Sequence, residues 1–415
     1  MRVVAALVAA VVGLGLSGAP AGAANRLVTP EFLGVQDDSA RLPDPVAWGT
    51  ARVWAAWCTV QPRADMDVAQ AAAAQLSPAF ATYAQTSATR LTVSLGHPSP
   101  WVFADHRSAW SHKNVHVWFC EYAAANTSFP TVKTLRSDPV ASAYRAYVTA
   151  VVTAAHTYLE ANPENRLVLQ AWNEPNLRNG GTIANKIPGA ARTWKQASAS
   201  LREQERIMRR IANDLIPGRF EIASPALYGK QSALGKRYLA DQAKTRTIDS
   251  ISLNFYTLRQ PSVNKSLAKW RTKAAKAKRL VTKHKRLRKL PIWLTETNHN
   301  LVNVVGNDSN LGPHWTDPQR QVRMIEVTTM EALRQGYAGL QWYQGTPLQT
   351  AVNTRPGAPA TEAAKALMAE LVGRKLIRCR TKRKVTTCTL SGRLYEGRIK
   401  VRWSAKGSAG VTVLR

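Results

Sequence analysis

Leu169-Gln170-Ala171-Trp172-Asn173-Glu174-Pro175-Asn176 is a short, mostly apolar run that stops at a carboxylate followed by proline. Proline cannot donate to a sheet ladder, so this reads as a central strand ending in a polar turn. Ile292-Trp293-Leu294-Thr295-Glu296-Thr297-Asn298 has the same grammar, again with one Glu just past an apolar run. Working outward, comparable runs recur at Phe32–Gln36, Ala51–Ala55, Leu91–Leu95, Leu167–Trp172, Phe220–Ser224, Ser250–Phe255, Pro291–Thr295 and Ala338–Tyr343. Between most of them, apolar residues three to four apart predict helices. Asp138–Ala161 stops at Asn162-Pro163, Thr193–Ile216 at Pro217-Gly218, and Gln319–Gln335 at Gly336. Asp37–Thr50 shows no clear helix. Eight strand–helix units predict a (β/α)8 TIM barrel over 28–370, with an open doubly wound sheet as the structural alternative. After Leu371 the pattern changes to short runs at Lys375–Arg380, Val385–Leu390, Arg398–Ser404 and Gly410–Leu414. These predict a small C-terminal all-β subdomain over 371–415, too short to be stable without docking or a local crosslink.

In such a barrel the strand ends share one mouth, so Glu174 and Glu296 converge. A carboxyl pair there suits glycosidic cleavage. One group protonates the leaving oxygen, and the other meets the oxocarbenium-like centre. The chain here resembles the clan A glycoside hydrolases, whose hallmark is Asn-Glu after strand four and a second Glu after strand seven. Trp172-Asn173-Glu174-Pro175-Asn176 and Thr295-Glu296 match those places. Arg52 on strand two, Trp57 and the Gln61-Pro62 turn agree further, as do Tyr256 ending strand six and Trp342 ending strand eight. Families 39 and 5 look nearest. The resemblance implies a retaining hydrolase with Glu174 as acid/base and Glu296 as nucleophile, and it puts Asn173 on the sugar hydroxyl beside the anomeric carbon. Physical reasoning adds that Arg52 and Tyr256 would hold Glu296 as a carboxylate by charge and hydrogen bond. Trp342 is expected either to stack on the sugar or to belong to the barrel wall. His97 in Gly96-His97-Pro98 is expected either to touch substrate or to be a satisfied turn residue. Asn254 departs from several relatives, which carry His two residues before the strand-six Tyr. The other function class is a barrel without catalysis that binds glycan or cell envelope through its basic surface. Trp101, Trp110, Trp118 and Trp315 fall in predicted mouth-side loops.

The 415 residues carry 57 Lys+Arg against 26 Asp+Glu, a net charge of +31, and 45% are hydrophobic, which excludes wholesale disorder. Lys265–Lys289 holds 12 Lys+Arg and no acid, on the predicted helix before strand seven. Arg374–Lys406 holds 12 Lys+Arg and one acid, Glu396. Such charge suits an anionic cell-envelope polymer as partner, or simply a solvated face. No nucleic-acid fold signature is present, so nucleic acid is not expected.

Arg2, the apolar Val3–Leu16 and Ala21-Gly22-Ala23 predict a signal peptide over 1–23 and a secreted chain, with an uncleaved anchor as the alternative. Gly13–Gly18 matches G-x-G-x-x-G, but no strand precedes it and it falls in the leader. No later apolar stretch reaches the roughly 18 residues of a membrane span. Export permits disulfides, and the spacing predicts Cys379–Cys388, leaving Cys58 with Cys120. His112 and His116 have i, i+4 spacing but no third ligand, so neither a metal nor a cofactor is expected.

Overall fold

The computed structural model describes residues 26–36, 48–103, 129–175, 189–228, 232–301, 316–343, 352–393, 396–404 and 410–415. The stretch 1–23 read above as a signal peptide, Cys120, His112, His116, Trp110, Trp118 and Trp315 lie outside the described residues. The strands are β1 (Arg26–Leu27), β2 (Leu33–Gln36), β3 (Thr50–Trp54), β4 (Arg90–Ser94), β5 (Arg166–Gln170), β6 (Phe220–Ala223), β7 (Leu227–Tyr228), β8 (Ile251–Gln260), β9 (Ile292–Leu301), β10 (Gly339–Tyr343), β11 (Lys375–Lys382), β12 (Val385–Leu390), β13 (Ile399–Ser404) and β14 (Thr412–Leu414).

One sheet runs β6-β5-β4-β3-β2-β10-β9-β8-β7, with every pair parallel. β6 and β7 are two halves of the fifth barrel strand. The bridges Ala223–Ser250 and Asn173–Ala226 tie them to the strands on either side and close the ring. Helices cover the outside. Several of their N-termini are capped, by Asp67, Thr193, Ser232, Ser262 and Asp317, each accepting a backbone N–H one turn in. The expected helix Asp138–Ala161 is two helices, Val140–Ala154 and His156–Ala161. No helix among the described residues is long and apolar enough to cross a membrane.

Which face each strand shows follows from contacts and register. Arg52 reaches Gln36, Ser94 and Gln170 across the lumen, so these four point inward. In register with them, Gln341 and Tyr343 of β10 point inward, and Trp342, beside Val35, points outward. β9 adds one residue relative to both neighbours: Leu294 and Glu296 pair with consecutive residues of β8. This bulge lets Thr295 and Glu296 both face the lumen, where strict alternation would send Glu296 into the helix layer. Low in the lumen, Arg90 stacks over Trp293 at 3.8 Å and pairs with Glu221 at 2.7 Å. A Cβ on Gly339 would lie 2.4 Å from the Trp293 ring, so only glycine fits beside it.

The second sheet, β1-β11-β12-β13-β14, is antiparallel. The two-residue β1 was not readable from the sequence and stitches the start of the described chain to the C-terminal subdomain. Trp403 donates its indole N–H to Glu331 of the helix Pro318–Gln335 at 2.8 Å, and Val411 N–H reaches Glu326 of the same helix at 3.0 Å. Cys379 faces Cys388 across β11 and β12 and is bonded to it. Cys58 is also disulfide-bonded. Opening Cys379–Cys388 by double Ser substitution frees a short loop in the unfolded chain. The unfolding free energy of the C-terminal sheet should fall by about 2–3 kcal/mol in urea titration. An unchanged midpoint would contradict this.

Glu205, fully buried in the helix Trp194–Leu215, accepts from Tyr238 Oη at 2.5 Å, Gln242 Nε2 at 2.6 Å and Thr247 Oγ1. Burial pushes its carboxyl up to about 7, opposed by these hydrogen bonds. The unfolded carboxyl ionises near 4.5, so between those values only the native state keeps the proton. Stability is then highest at or below the unfolded value and falls as pH rises through 7, by on the order of 3 kcal/mol. Glu205→Gln should flatten the urea-unfolding free energy between pH 5 and pH 8. An undiminished slope would assign that pH dependence elsewhere.

Candidate active site

Glu174 follows the end of β5, and Glu296 occupies the β9 bulge. Both belong to the mouth formed by the strands' C-terminal ends. Arg52 lies at its centre, with under 2% of its surface exposed. Its Nη1 donates to Glu296 Oε1 and, at 2.6 Å, to Gln36 Oε1; its Nη2 donates to Gln170 Oε1 at 2.6 Å and Asn173 Oδ1 at 2.9 Å. A planar guanidinium in such a fork has its rotamer fixed by four strands, so the Glu296 carboxylate it grips is fixed as well. Tyr256 donates its hydroxyl to the other oxygen, Glu296 Oε2, at 2.5 Å.

Glu174 has a different setting. It is half-buried and, among the described residues, has no cation bonded to it. Its Oε1 accepts from Asn254 Nδ2 at 3.1 Å, and the same amide donates to Asn173 Oδ1 at 3.0 Å. Thr295 Oγ1 donates to Asn254 Oδ1 at 2.8 Å, which orients the amide. Burial, and then the charge of Glu296, push the Glu174 carboxyl up to about 8, against smaller opposing effects of Asn254 and Arg52. Its φ of 45° is left-handed, an uncommon conformation that a following proline makes harder to adopt. Pairing of Glu174 N–H with Ala226 O at 2.9 Å holds it there. One carboxyl is therefore set up to keep a proton, and the other is held by a cation and a phenol.

The remaining expected residues divide. Asn173 and Tyr256 join the cluster. Trp342 does not: it is fully buried outside the barrel wall, its ring 5.9 Å from that of His299. Alternation along β10 turns Tyr343 inward instead, edge-on to Tyr256 with ring centres 5.8 Å apart. Tyr228, Tyr256 and Tyr343 form a small aromatic group at the mouth. His97 is buried with its ring 5.2 Å from Trp172, and its backbone carbonyl takes the Cys58 N–H at 3.1 Å. Trp57 donates its indole N–H to Gln61 Oε1 at 2.8 Å, and Trp101 donates to Gln61 O at 3.2 Å, so both brace the loop after β3. Asn254, read in the sequence only as a departure, is the hub between Asn173, Glu174 and Thr295. Gln36, Gln170 and Ser94 gave no signal, because short polar residues on buried strands look like ordinary lumen filling.

No protein-family model and no curated protein matches the chain in sequence. Solved structures do match in fold. A family 39 glycoside hydrolase from the gut symbiont Bacteroides cellulosilyticus WH2 is 13% identical, covering 92% of this chain and 73% of its own, with a TM-score of 0.51. A 4-O-α-L-rhamnosyl-β-D-glucuronidase from Fusarium oxysporum 12S is 13% identical over 93% of this chain and 79% of its own, with a TM-score of 0.54. The catalytic domain of the GH30 xylanase C from Talaromyces cellulolyticus is 12% identical over 91% and 84%, with a TM-score of 0.51. The barrel, its closure and its small β-subdomain together give this chain the fold of the clan A glycoside hydrolases.

Proposed function

We propose that the chain is a secreted, retaining glycoside hydrolase that cleaves O-glycosidic bonds of an oligo- or polysaccharide by double displacement. The observation that carries the reading is the opposed setting of the two carboxyls: Glu296 gripped by Arg52 and Tyr256, and Glu174 pushed up to about 8 by burial and by Glu296. Glu296 attacks the anomeric carbon as the glycosidic C–O bond breaks, and Glu174 gives its proton to the departing oxygen. A glycosyl ester on Glu296 results. Glu174, now a carboxylate, takes a proton from the water that attacks the same carbon, and Glu296 leaves as a carboxylate. Asn173, oriented by Arg52 and Asn254, binds the hydroxyl beside the anomeric carbon. Tyr343 and Tyr228 wall the sugar. The resemblance in fold supports the substrate class, and the leader-like Arg2–Ala23 with the Cys379–Cys388 disulfide supports export.

A panel of aryl glycosides, assayed with wild type and Glu296→Ala, tests the reading. Turnover of at least one glycoside by wild type, lost in the variant, is expected. Binding of glycans without any turnover would favour the non-catalytic barrel.

A further inference from the structure

The two basic stretches, remote in sequence, meet at one acid. Glu331 receives Arg271 from the helix Val263–Thr282 and the Trp403 indole N–H from β13. Both elements thus pack against the helix Pro318–Gln335 on the barrel wall. On the helix, the half-buried cations are used internally: Arg271 on Glu331, Lys273 on Tyr256 O and Lys278 on Gln335 O. Lys265, Lys269, Lys276 and Lys283 instead recur on one exposed side.

The sheet carries a more ordered array. Register sets Arg378 and Lys400 on either side of Thr389, and Arg380 and Arg402 on either side of Thr387. These four cations are exposed, whereas Cys388, Leu390, Val401 and Trp403 point to the other face and are buried. Strand geometry spaces the two rows about 7 Å apart, and cations within a row about 10 Å apart. None of the four has an acidic partner among the described residues.

We propose that this sheet face docks the protein on an acidic polysaccharide. Fixed cations interleaved with threonine hydroxyls suit an extended chain that carries periodic anionic groups and sugar hydroxyls. The large hydrophobics exposed among the described residues are Leu27, Leu215 and Leu414. Leu27 and Leu414 sit at opposite edges of this sheet, Leu414 in register with Lys400, so the cation array carries no contiguous apolar stripe for a bilayer and, among the described residues, no exposed aromatic platform for stacking bases. It lies on the barrel's outer wall, so docking is separate from cleavage.

Binding of the full chain to immobilised polygalacturonate tests this. The variant R378Q/R380Q/K400Q/R402Q should bind about tenfold more weakly or worse, and added salt should reproduce the loss in wild type. A control with the same charge change on other exposed sites, K195Q/R210Q/K236Q/K244Q, should stay within about twofold of wild type. Unchanged melting temperatures show that both variants fold. The proposal is overturned if the sheet variant binds like wild type, or if the control loses as much, which would reduce the effect to net charge. Tighter binding of wild type to oligodeoxythymidylate or to phosphatidylglycerol vesicles, at equal salt, would also overturn it.

Discussion

Glu296→Ala should lower kcat/KM on the best aryl glycoside by about 10⁴-fold or more, because it removes the group proposed to form the covalent intermediate. The loss should appear in kcat, and the melting temperature should also fall, because buried Arg52 loses its counter-charge. Removing the carboxylate leaves Arg52 with Gln36, Gln170 and Asn173 still accepting its hydrogen bonds. A small nucleophilic anion such as azide should restore part of the turnover by occupying the vacated space, giving a glycosyl azide of inverted configuration. A variant that keeps activity within about tenfold of wild type would remove Glu296 from the chemistry.

Glu174→Ala should split substrates by leaving group. Glycosides with alcohol-like leaving groups need the proton and should lose about 10²- to 10⁴-fold. Activated nitrophenyl glycosides need little protonation, so their first step should survive and the glycosyl-enzyme should accumulate. The pH profile gives the second signature. Glu174 must be protonated to act as acid, and its carboxyl is pushed up to about 8. The kcat/KM of wild type should therefore hold through neutral pH and decline on the alkaline side of that value. In Glu174→Ala that decline should vanish. An alkaline limb that persists in the variant would assign it to another group.

The sequence announced the eight barrel strands because most of their residues are buried, the signal a parallel sheet produces. Glu174 and Glu296 were readable for a related reason: a carboxylate directly after such a run has few places to go except the strand-end mouth. Side-chain direction was not readable where the backbone breaks alternation. The extra residue in β9 turns Glu296 inward and shifts the pairing of both neighbours. No composition signal marks that bulge. Trp342 is the cost of reading residue type before register: a large aromatic at a strand end looked like a sugar platform, yet Tyr343 is the inward residue. Arg52 was found, but its grip on Gln36, Gln170 and Glu296 joins four strands, β3 with β2, β5 and β9, that only the closed barrel brings together. β1 escaped notice because two residues carry no periodicity. The meeting of two basic stretches at Glu331 depends on tertiary docking alone.

The central claim is double displacement by Glu174 and Glu296. Proton NMR of the first-formed sugar, recorded before mutarotation with wild type on the best substrate of the aryl glycoside panel, tests it most directly. Double displacement predicts an anomeric configuration identical to that of the substrate, with Glu296→Ala silent on the same panel. A first product of inverted configuration would contradict it, because water would then have attacked the anomeric carbon in a single step.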